Sequence, residues 1–238
     1  MTTPDWLERT SLLMGPDKME RFRRAHVLVV GTGGVGAYAA EMLVRAGIGR
    51  LTLLDADRVQ PSNINRQLCA LHSTVGEEKV RVLGLRFKDI NTELDLTVRA
   101  EFLEEHSAGV LLDSAKFDFI VDAIDTIAPK CALIEEAMKR RIRIVSSMGA
   151  GAKTDITQIR FADLWETFHC GLSKAVRARL KRDGMRRPLP VVFCAQQADP
   201  AALVQVEGER NKKTTTGTVS YMPAVFGCYL AQYVISRL

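Results

Sequence analysis

Four closely spaced glycines follow a short apolar run and have the arrangement of a phosphate-binding turn. The turn GTGGVG contains Gly31, Gly33, Gly34 and Gly36. The first, second and last of these give the GxGxxG spacing, which lets backbone amides and a helix N-terminus approach a phosphate. A later apolar segment ends at Asp55, whose carboxylate could accept hydrogen bonds from ribose hydroxyls. These residues indicate nucleotide binding, and a turn that serves only close packing is the alternative.

Further polar residues after this aspartate are candidates for ATP binding. They are Asp57, Asn63, Arg66, Gln67 and Lys79. The arginine and the lysine would neutralise phosphate oxygens and the charge that develops when pyrophosphate leaves. A hydride-transfer enzyme with a nicotinamide cofactor has no such need. The two cations therefore favour ATP, with solvated charges at a helix start as the alternative.

The order of these motifs resembles the nucleotide-binding core of the ThiF/MoeB and ubiquitin-activating superfamily. The motifs are GTGGVG, LLDADRVQPSNINRQ, VGEEK and DAIDT, all within residues 26–150. The resemblance implies that Asp55 holds the ribose of ATP. It implies that Asn63, Arg66 and Lys79 bind the phosphates, and that the arginine and the lysine act in catalysis.

The same resemblance implies a catalytic metal ligand and a contribution from a second subunit. Asp125 would bind the magnesium ion that bridges the phosphates, with Asp122 as the neighbouring alternative. A helix N-cap is the structural alternative for Asp125. The segment RTSLLMG, residues 9–15, resembles the one that supplies an arginine to the partner subunit's ATP. Arg9 would then stabilise the departing phosphates, and a homodimer would be the active unit.

The overall arrangement of segments is similar to that of the tRNA threonylcarbamoyladenosine dehydratase family. The segments are RTSLLMG, DAIDTIAPK, SKAVRARLKRDGMRR, VVFCAQQ and GTVSYMPAVFG. The similarity implies that ATP adenylates a carboxylate on a modified adenosine of tRNA. An internal oxygen would then displace AMP and close a ring. A cysteine desulfurase with a sulfur acceptor is a further candidate partner.

The cysteines help to separate this interpretation from carrier-protein activation. Five cysteines occur without a CxxC pair, which argues against a disulfide framework and a four-cysteine zinc site. Carrier-activating branches commonly have such zinc ligands, so we expect ATP and magnesium but no zinc. Cys194 departs from an expected Ser-x-Glu pattern, and packing is favoured there over a reactive thiol. A carrier-protein adenylyltransferase and a non-catalytic nucleotide-binding module remain alternatives.

A basic segment in the last third of the chain is the candidate contact to tRNA. Leu172, Val176 and Leu180 recur at every fourth position, which predicts an amphipathic helix with a basic outer face over 174–187. Contacts to phosphates would release counterions and strengthen RNA binding, whereas a solvated helix face is the alternative. The predicted tRNA-binding residues are Lys174, Arg177, Lys181, Arg182, Arg186 and Arg187.

The elements that must position these residues alternate between strand and helix. This predicts an α/β fold of the Rossmann type with a doubly wound, mainly parallel sheet. Strands are predicted over 26–31, 51–54, 96–100, 117–123 and 142–146, and helices after the glycine turn and over 77–91 and 129–140. One domain spans 1–238, and residues 26–150 form its ATP-binding Rossmann core. Residues 151–238 form a substrate-facing insertion or small lobe and a C-terminal helix.

Composition favours a globular protein of the cytoplasm. The chain has 238 residues, of which 47% are hydrophobic, and a formal net charge of +5, which permits an acidic partner without requiring one. The first ten residues lack the basic start and apolar core of a secretory signal. Residues 214–236 are uncharged but include Pro223 and Gln232. We therefore expect a buried strand and helix there, and no stable membrane insertion.

Overall fold

Seven strands form one sheet in the computed structural model, which describes residues 4–205 and 214–238. In chain order they are β1 (His26–Val30), β2 (Arg50–Leu54), β3 (Asp95–Arg99), β4 (Phe119–Asp122), β5 (Arg143–Ser147), β6 (Ile159–Asp163) and β7 (Pro190–Cys194). Two short strands form a separate antiparallel pair, β8 (Leu203–Gln205) and β9 (Thr214–Thr216).

Helices connect the strands and cover both faces of the sheet. In chain order they are α1 (Glu8–Met14), α2 (Pro16–Arg24), α3 (Gly36–Arg45), α4 (Lys79–Ile90), α5 (Ala108–Asp113), α6 (Ile127–Arg140), α7 (Gly171–Arg182) and α8 (Tyr221–Arg237). None of the helices in the described residues combines the length and apolar character needed to cross a bilayer. The uncharged C-terminal stretch instead forms α8, which buries Met222, Phe226 and Leu230 in the core.

The strand order is β3-β2-β1-β4-β5-β7-β6, and every neighbouring pair is parallel except β6 with β7. The chain proceeds outward from β1 to β3 on one side and from β4 to β5 on the other. The crevice between the carboxyl ends of β1 and β4 is therefore a topological switch point, where open α/β sheets bind ligands. The fold class predicted from the sequence is confirmed.

The predicted core strands and helices lie within two residues of the observed ones at each end. Beyond residue 150 the chain continues the main sheet, because β7 adds to β5 in parallel and β6 adds to β7 antiparallel. The β8–β9 pair lies outside that sheet. The substrate-facing role of residues 151–238 stays a prediction.

The first strand runs through the middle of the core. Val27 and Val29 pack into one apolar cluster with α3 and α8, whereas Leu28 and Val30 pack into a second cluster with α6 and α7. This alternation follows from the two-residue period of a strand, and the apolar run suits a parallel strand that is covered on both faces. Polar side chains that could bind a ligand therefore lie mainly at the ends of the strands.

A glycine allows α8 to cross α3 at close range. A Cβ atom at Gly227 would lie 2.5 Å from the carbonyl oxygen of Val35 and 2.7 Å from the Cβ atom of Tyr38. Close-packed interiors have no room for contacts this short, so any larger residue must push the helices apart. The crossing also holds Pro223 beside the glycine turn, 3.1 Å from a Cβ atom built at Gly34.

We expect Gly227→Ala to lower the free energy of unfolding by about 1 to 3 kcal/mol, because the methyl group overpacks the crossing. Gly171→Ala is the matched control, since a Cβ atom at this first residue of α7 meets nothing within 4 Å. Urea denaturation followed by circular dichroism would measure both. Equal midpoints for wild type and Gly227→Ala would contradict the close packing.

Candidate nucleotide-binding site

Two contacts that exclude side chains shape the turn between β1 and α3. Gly31 has a φ of +85°, and a Cβ atom there would lie 2.7 Å from the carbonyl oxygen of Ala123. A Cβ atom at Gly36 would overlap the carbonyl oxygen of Gly31. Glycine tolerates both the left-handed backbone and the close approach. The ends of β1 and β4 and the start of α3 therefore meet in one tight corner.

The middle of the turn is more open. A Cβ atom at Gly33 would have Gln67 Nε2 as its nearest neighbour, at 3.7 Å, and one at Gly34 would lie 3.5 Å from the carbonyl oxygen of Arg66. Gln67 Oε1 is buried and has no hydrogen-bond partner among the described residues. The Arg66–Gln67 segment thus faces the turn and the N-terminus of α3, whose backbone N–H groups suit a phosphate group.

Asp55 fixes the turn from the end of β2. Its Oδ2 accepts hydrogen bonds from the backbone N–H of Thr32 at 2.6 Å and from the Thr32 hydroxyl at 3.0 Å, and its Oδ1 accepts one from Asp57 N–H at 2.8 Å. Sequence reasoning missed Thr32; a hydroxyl residue between two glycines of the turn was the available signal. A carboxylate has about four acceptor sites, so Asp55 retains capacity for a ligand hydroxyl.

Lys79 begins α4 and forms an ion pair with Asp57. The Nζ atom lies 2.7 Å from Asp57 Oδ2, and the lysine side chain is buried whereas that of Asp57 is 68% exposed. The structure therefore brings two of the predicted ATP-binding residues together. A pair with one solvated partner is weakly held, because water screens its charges. Lys79 can consequently exchange this carboxylate for another anion.

Arg66 lies at the same edge of the sheet and within the electric field of Asp125. Its Nη1 donates to the carbonyl oxygen of Ser62 at 2.9 Å and to Asn65 Oδ1 at 2.8 Å. Burial lowers the pKa of Arg66, and the charge of Asp125 opposes this shift. An arginine nonetheless remains cationic in proteins. The charges of a predicted phosphate ligand and of the predicted metal ligand thus influence one another.

Asn63 supports the turn that carries Arg66. Asn63 is buried, and its Oδ1 accepts a hydrogen bond from the backbone N–H of Gln60 at 3.1 Å. This contact closes the short turn and so orients the residues that follow. A direct contact of Asn63 with phosphate stays a prediction.

Asp122, the alternative metal ligand, is committed to a buried ion pair at the end of β4. Its Oδ2 lies 2.8 Å from Lys130 Nζ, and both side chains are fully buried. The same oxygen accepts a hydrogen bond from the Ser146 hydroxyl at 2.6 Å, and Lys130 also donates to the carbonyl oxygen of Ile124 at 3.0 Å. Removing one partner of such a pair costs about 3 to 5 kcal/mol. Sequence reasoning missed Lys130, whose partner is visible only once α6 is packed on the sheet.

Asp125 lies on the exposed loop between β4 and α6. The helix begins at Ile127, and its N-cap position is Thr126. The interpretation of Asp125 as the N-cap is therefore wrong, because the helix starts one residue too late. An exposed carboxylate beside the nucleotide edge remains a suitable oxygen ligand for a hard cation.

Most of the thiols are withdrawn from solvent. Cys69, Cys131, Cys170 and Cys194 are buried, and Cys228 is exposed. Burial raises the pKa of Cys69 and raises that of Cys131 to about 12. The Cys194 thiol donates to the carbonyl oxygen of Asp155 at 3.7 Å, and the Cys194 carbonyl accepts from Lys153 Nζ at 2.6 Å. These contacts support packing as the role of Cys194.

The basic segment forms a shorter helix than predicted. Gly184 adopts a φ of +80°, and the N–H of Met185 bonds back to the carbonyl oxygen of Leu180 at 2.8 Å. This left-handed glycine ends α7. The prediction of a helix that extends through Arg186 and Arg187 is therefore wrong, and both residues lie on the loop that leads to β7.

Several cations of α7 already have partners within the protein. Arg177 donates to oxygen atoms of the preceding loop, with one bond of 2.9 Å to a carbonyl. Asp183 pairs with Arg179 at 2.5 Å and with Arg182 at 3.2 Å. The exposed cations of α7 that pair with no described carboxylate are Lys174 and Lys181. The buried Val176 and Leu180 confirm the predicted apolar face.

Arg9 is exposed on α1. Within the described part of the chain, no recorded hydrogen bond or ion pair joins it to the glycine turn. Leu12 and Leu13, on the same helix, are 81% and 79% exposed. The delivery of Arg9 to a second subunit stays a prediction.

The ThiF family model matches residues 7–238, and the chain belongs to the ThiF family. A tRNA threonylcarbamoyladenosine dehydratase of Bacillus subtilis is 35% identical over 241 residues, which cover 97% of this chain and 93% of that protein. The crystal structure of the Escherichia coli tRNA N6-threonylcarbamoyladenosine dehydratase with ATP matches with a TM-score of 0.89 and 32% identity, over 100% of this chain and 96% of that one. Its complex with AMP has a TM-score of 0.88 and 33% identity, over the same shares of the two chains.

We expect one fast-reacting thiol in the folded protein, that of Cys228, when it is titrated with a chromogenic disulfide reagent. Desolvation raises the pKa of Cys228, so its labelling rate should increase as the pH rises through that pKa and the thiolate forms. Cys228→Ser should remove the fast phase, and Cys194→Ser should retain it. Fast labelling of Cys194 in the folded Cys228→Ser variant would contradict its burial and restore a reactive role for it.

Proposed function

We propose that this chain is an ATP-dependent tRNA threonylcarbamoyladenosine dehydratase. The observation that carries the proposal is the convergence at one sheet edge of the glycine turn, the Asp55 carboxylate and the neighbouring Arg66 and Asp125. Relatives matched over nearly the whole chain are named as dehydratases of this tRNA modification. That agreement favours the proposal over activation of a carrier protein and over a non-catalytic nucleotide-binding module.

The proposed reaction has two steps. The threonylcarbamoyl carboxylate attacks the α-phosphorus of ATP, and pyrophosphate leaves as the acyl-adenylate forms. An oxygen of the same modification then attacks the activated carbonyl carbon, and AMP departs with one of the former carboxylate oxygens. The nucleoside has then lost the elements of water, and that oxygen is accounted for in AMP.

The residues around the turn have distinct roles in this proposal. Asp55 binds the ribose hydroxyls, and the amides of the turn and the N-terminus of α3 hold phosphate oxygens. Arg66 and Lys79 neutralise the charge that grows as pyrophosphate leaves. Asp57 keeps Lys79 in place before the nucleotide binds, and Gln67 offers its unpaired amide oxygen to the bound nucleotide.

Magnesium fits the exposed carboxylate of Asp125. This cation usually takes one or two carboxylates and completes its shell with water and substrate phosphates. Asp125 would hold it, and the bound ion would neutralise phosphate charge. Asp125 also lies beside Arg66, so the two side chains would position adjacent parts of the triphosphate.

A second copy of the chain and tRNA are the proposed partners. Arg9, Leu12 and Leu13 are three and four residues apart and share one face of α1, where exposed leucines suit a subunit contact. The arginine would reach the partner's nucleotide from that contact. Lys174 and Lys181 would contact tRNA. The reaction would take place in the cytoplasm, and a sulfur-acceptor partner stays a prediction.

The proposal predicts that an oxygen atom moves from the tRNA modification to AMP. Wild-type protein would be mixed with ATP, magnesium and tRNA whose threonylcarbamoyl carboxylate carries ¹⁸O. Mass spectrometry should find the label in AMP and a nucleoside that has lost water, because the carboxylate oxygen leaves with the nucleotide. Matched tRNA without the threonylcarbamoyl group should release no AMP. Release of AMP only with a protein that ends in Gly-Gly would replace this proposal with carrier activation.

Asp55 and Arg66 variants should fail at different steps. Asp55→Ala should weaken ATP binding by about 1.5 to 3 kcal/mol, the value of hydrogen bonds to a charged group. Arg66→Ala should bind ATP within a few-fold of wild type but form AMP about 100-fold more slowly, as should Lys79→Ala, since their charges act on the leaving phosphates. Calorimetry and single-turnover AMP formation would separate the steps. Arg50→Ala, at the other end of β2, is the control, and wild-type rates in Arg66→Ala and Lys79→Ala would remove both phosphate roles.

A further inference from the structure

A cleft of about 430 Å³ lies at the amino ends of three neighbouring strands. Phe119, Arg143 and Pro190 are the first residues of β4, β5 and β7, and all three line the cleft. These strands are parallel, so the cleft opens at the edge of the sheet opposite the glycine turn. It is therefore separate from the nucleotide site.

Positive charge surrounds this cleft, and its floor is apolar. The arginines at its rim are Arg141, Arg143, Arg187 and Arg237. The floor includes Phe119, Ile144, Pro190 and Tyr233. A second cavity adjoins the first and shares Pro190 and Tyr233 with it. Arg143 lies over the Phe119 ring and Arg237 over the Tyr233 ring, at 5.2 Å and 3.5 Å from the ring centroids, so the cleft presents guanidinium groups to a ligand and suits several negative charges.

Backbone carbonyl oxygens hold two of these arginines in place without neutralising them. Arg143 donates to the carbonyl oxygens of Asp118 at 3.2 Å and Arg237 at 2.7 Å, and Arg187 donates to that of Met138 at 3.4 Å. Carbonyl oxygens orient a guanidinium group but carry no net charge. Within residues 4–205 and 214–238, no carboxylate forms an ion pair with any of the four rim arginines.

Carboxylates on this side of the molecule are engaged elsewhere. Asp163, in the adjoining cavity, accepts hydrogen bonds from two backbone N–H groups at 2.9 Å and 3.0 Å. Asp183 pairs with Arg179 and Arg182 of α7. These ion pairs reduce the net positive charge of α7, whereas the rim arginines of the cleft pair with no carboxylate in the described residues. The four rim arginines therefore make the cleft a positively charged surface that suits a polyanion.

The helix α7 runs from the carboxyl ends of the strands toward their amino ends. Its start lies at the carboxyl edge, where the N–H of Gly149, just after β5, donates to the Cys170 thiol at 3.3 Å. Its 12 residues span about 18 Å, and the chain then reaches Arg187 at the rim of the cleft. Lys174 and Lys181 are exposed along this path. Exposed cations thus extend from the side of the ATP site to the cleft, and this distance corresponds to several nucleotides of an RNA chain.

We propose that the arginine cleft is a docking surface for the RNA backbone of the tRNA substrate, with phosphates at the rim arginines. This inference rests on the proposed function. RNA supplies closely spaced phosphates along its backbone, and each phosphate contact releases counterions and strengthens binding. The cleft would hold the tRNA body while α7 guides the modified adenosine to the opposite edge.

The test compares two variants of equal charge change. The cleft variant carries Arg141→Glu with Arg237→Glu. The control carries Arg24→Glu on α2 with Lys88→Glu on α4, and α4 packs beside β3 on the far side of the sheet. The probe is tRNA with the threonylcarbamoyl group, in filter binding across a salt series. The cleft variant should bind about tenfold more weakly at 0.1 M salt, and its log–log salt slope should be shallower by about 1.5. The control should stay within twofold of wild type.

Further measurements distinguish the ways in which the proposal could fail. Thermal melting should show that both double variants stay folded at the assay temperature, and ATP calorimetry should match wild type in both. If the double variant does not fold, Arg141→Gln, which removes a charge but no side-chain hydrogen bond within residues 4–205 and 214–238, should still weaken tRNA binding about threefold. Equal tRNA affinity and salt slope in the folded cleft variant and the wild type would overturn the cleft's role, and an acidic protein segment would then be its better occupant. Wild-type protein that binds tRNA through the cleft but transfers no ¹⁸O to AMP would instead refute the proposed function.

Discussion

The corner formed by Gly31, Gly36 and Ala123 is the constraint on which the rest of the molecule depends. The ends of β1 and β4 and the start of α3 approach so closely there that an added Cβ atom would collide with a carbonyl oxygen. Because the corner is tight, the N-terminus of α3 opens directly into the crevice between the two strands. Asp55 can then reach the turn through Thr32. The main chain therefore determines the geometry of the site, and the side chains take their positions from it.

Electrostatics divides the charged residues into two groups. Asp122 and Lys130 are withdrawn from water, and their ion pair, the Ser146 hydroxyl bound to Asp122 and the Ile124 carbonyl bound to Lys130 satisfy groups that would be costly to isolate. Asp57 and Asp125 remain in contact with solvent, which compensates for their charge and lets partners change. The two aspartates of the DAIDT motif therefore differ in environment. Asp122 is buried in an ion pair at the end of β4, whereas the carboxylate of Asp125 is exposed.

Local patterns made part of this arrangement predictable. The β1 run, the glycine turn and Asp55 were identified because each depends on residues adjacent in sequence. The bounds of α7 depended on whether Gly184 adopts a left-handed backbone, which helical periodicity does not report. Contacts such as Thr32 with Asp55 require the packed sheet. The arginine cleft was invisible for the same reason, since its residues come from the ends of four distant segments and share no spacing.

The last helix has a mechanical consequence. Pro223, in its first turn, packs against Gly34 of the nucleotide turn, and Arg237, its final residue, lies at the rim of the cleft. Its 17 residues form a rod about 26 Å long, clamped against α3 at Gly227. Met222, Phe226, Leu230 and Val234 are buried along its length, so the helix packs as one element between the glycine turn and the cleft. A substitution that repacks one end of α8 therefore disturbs the buried face that also supports the other end.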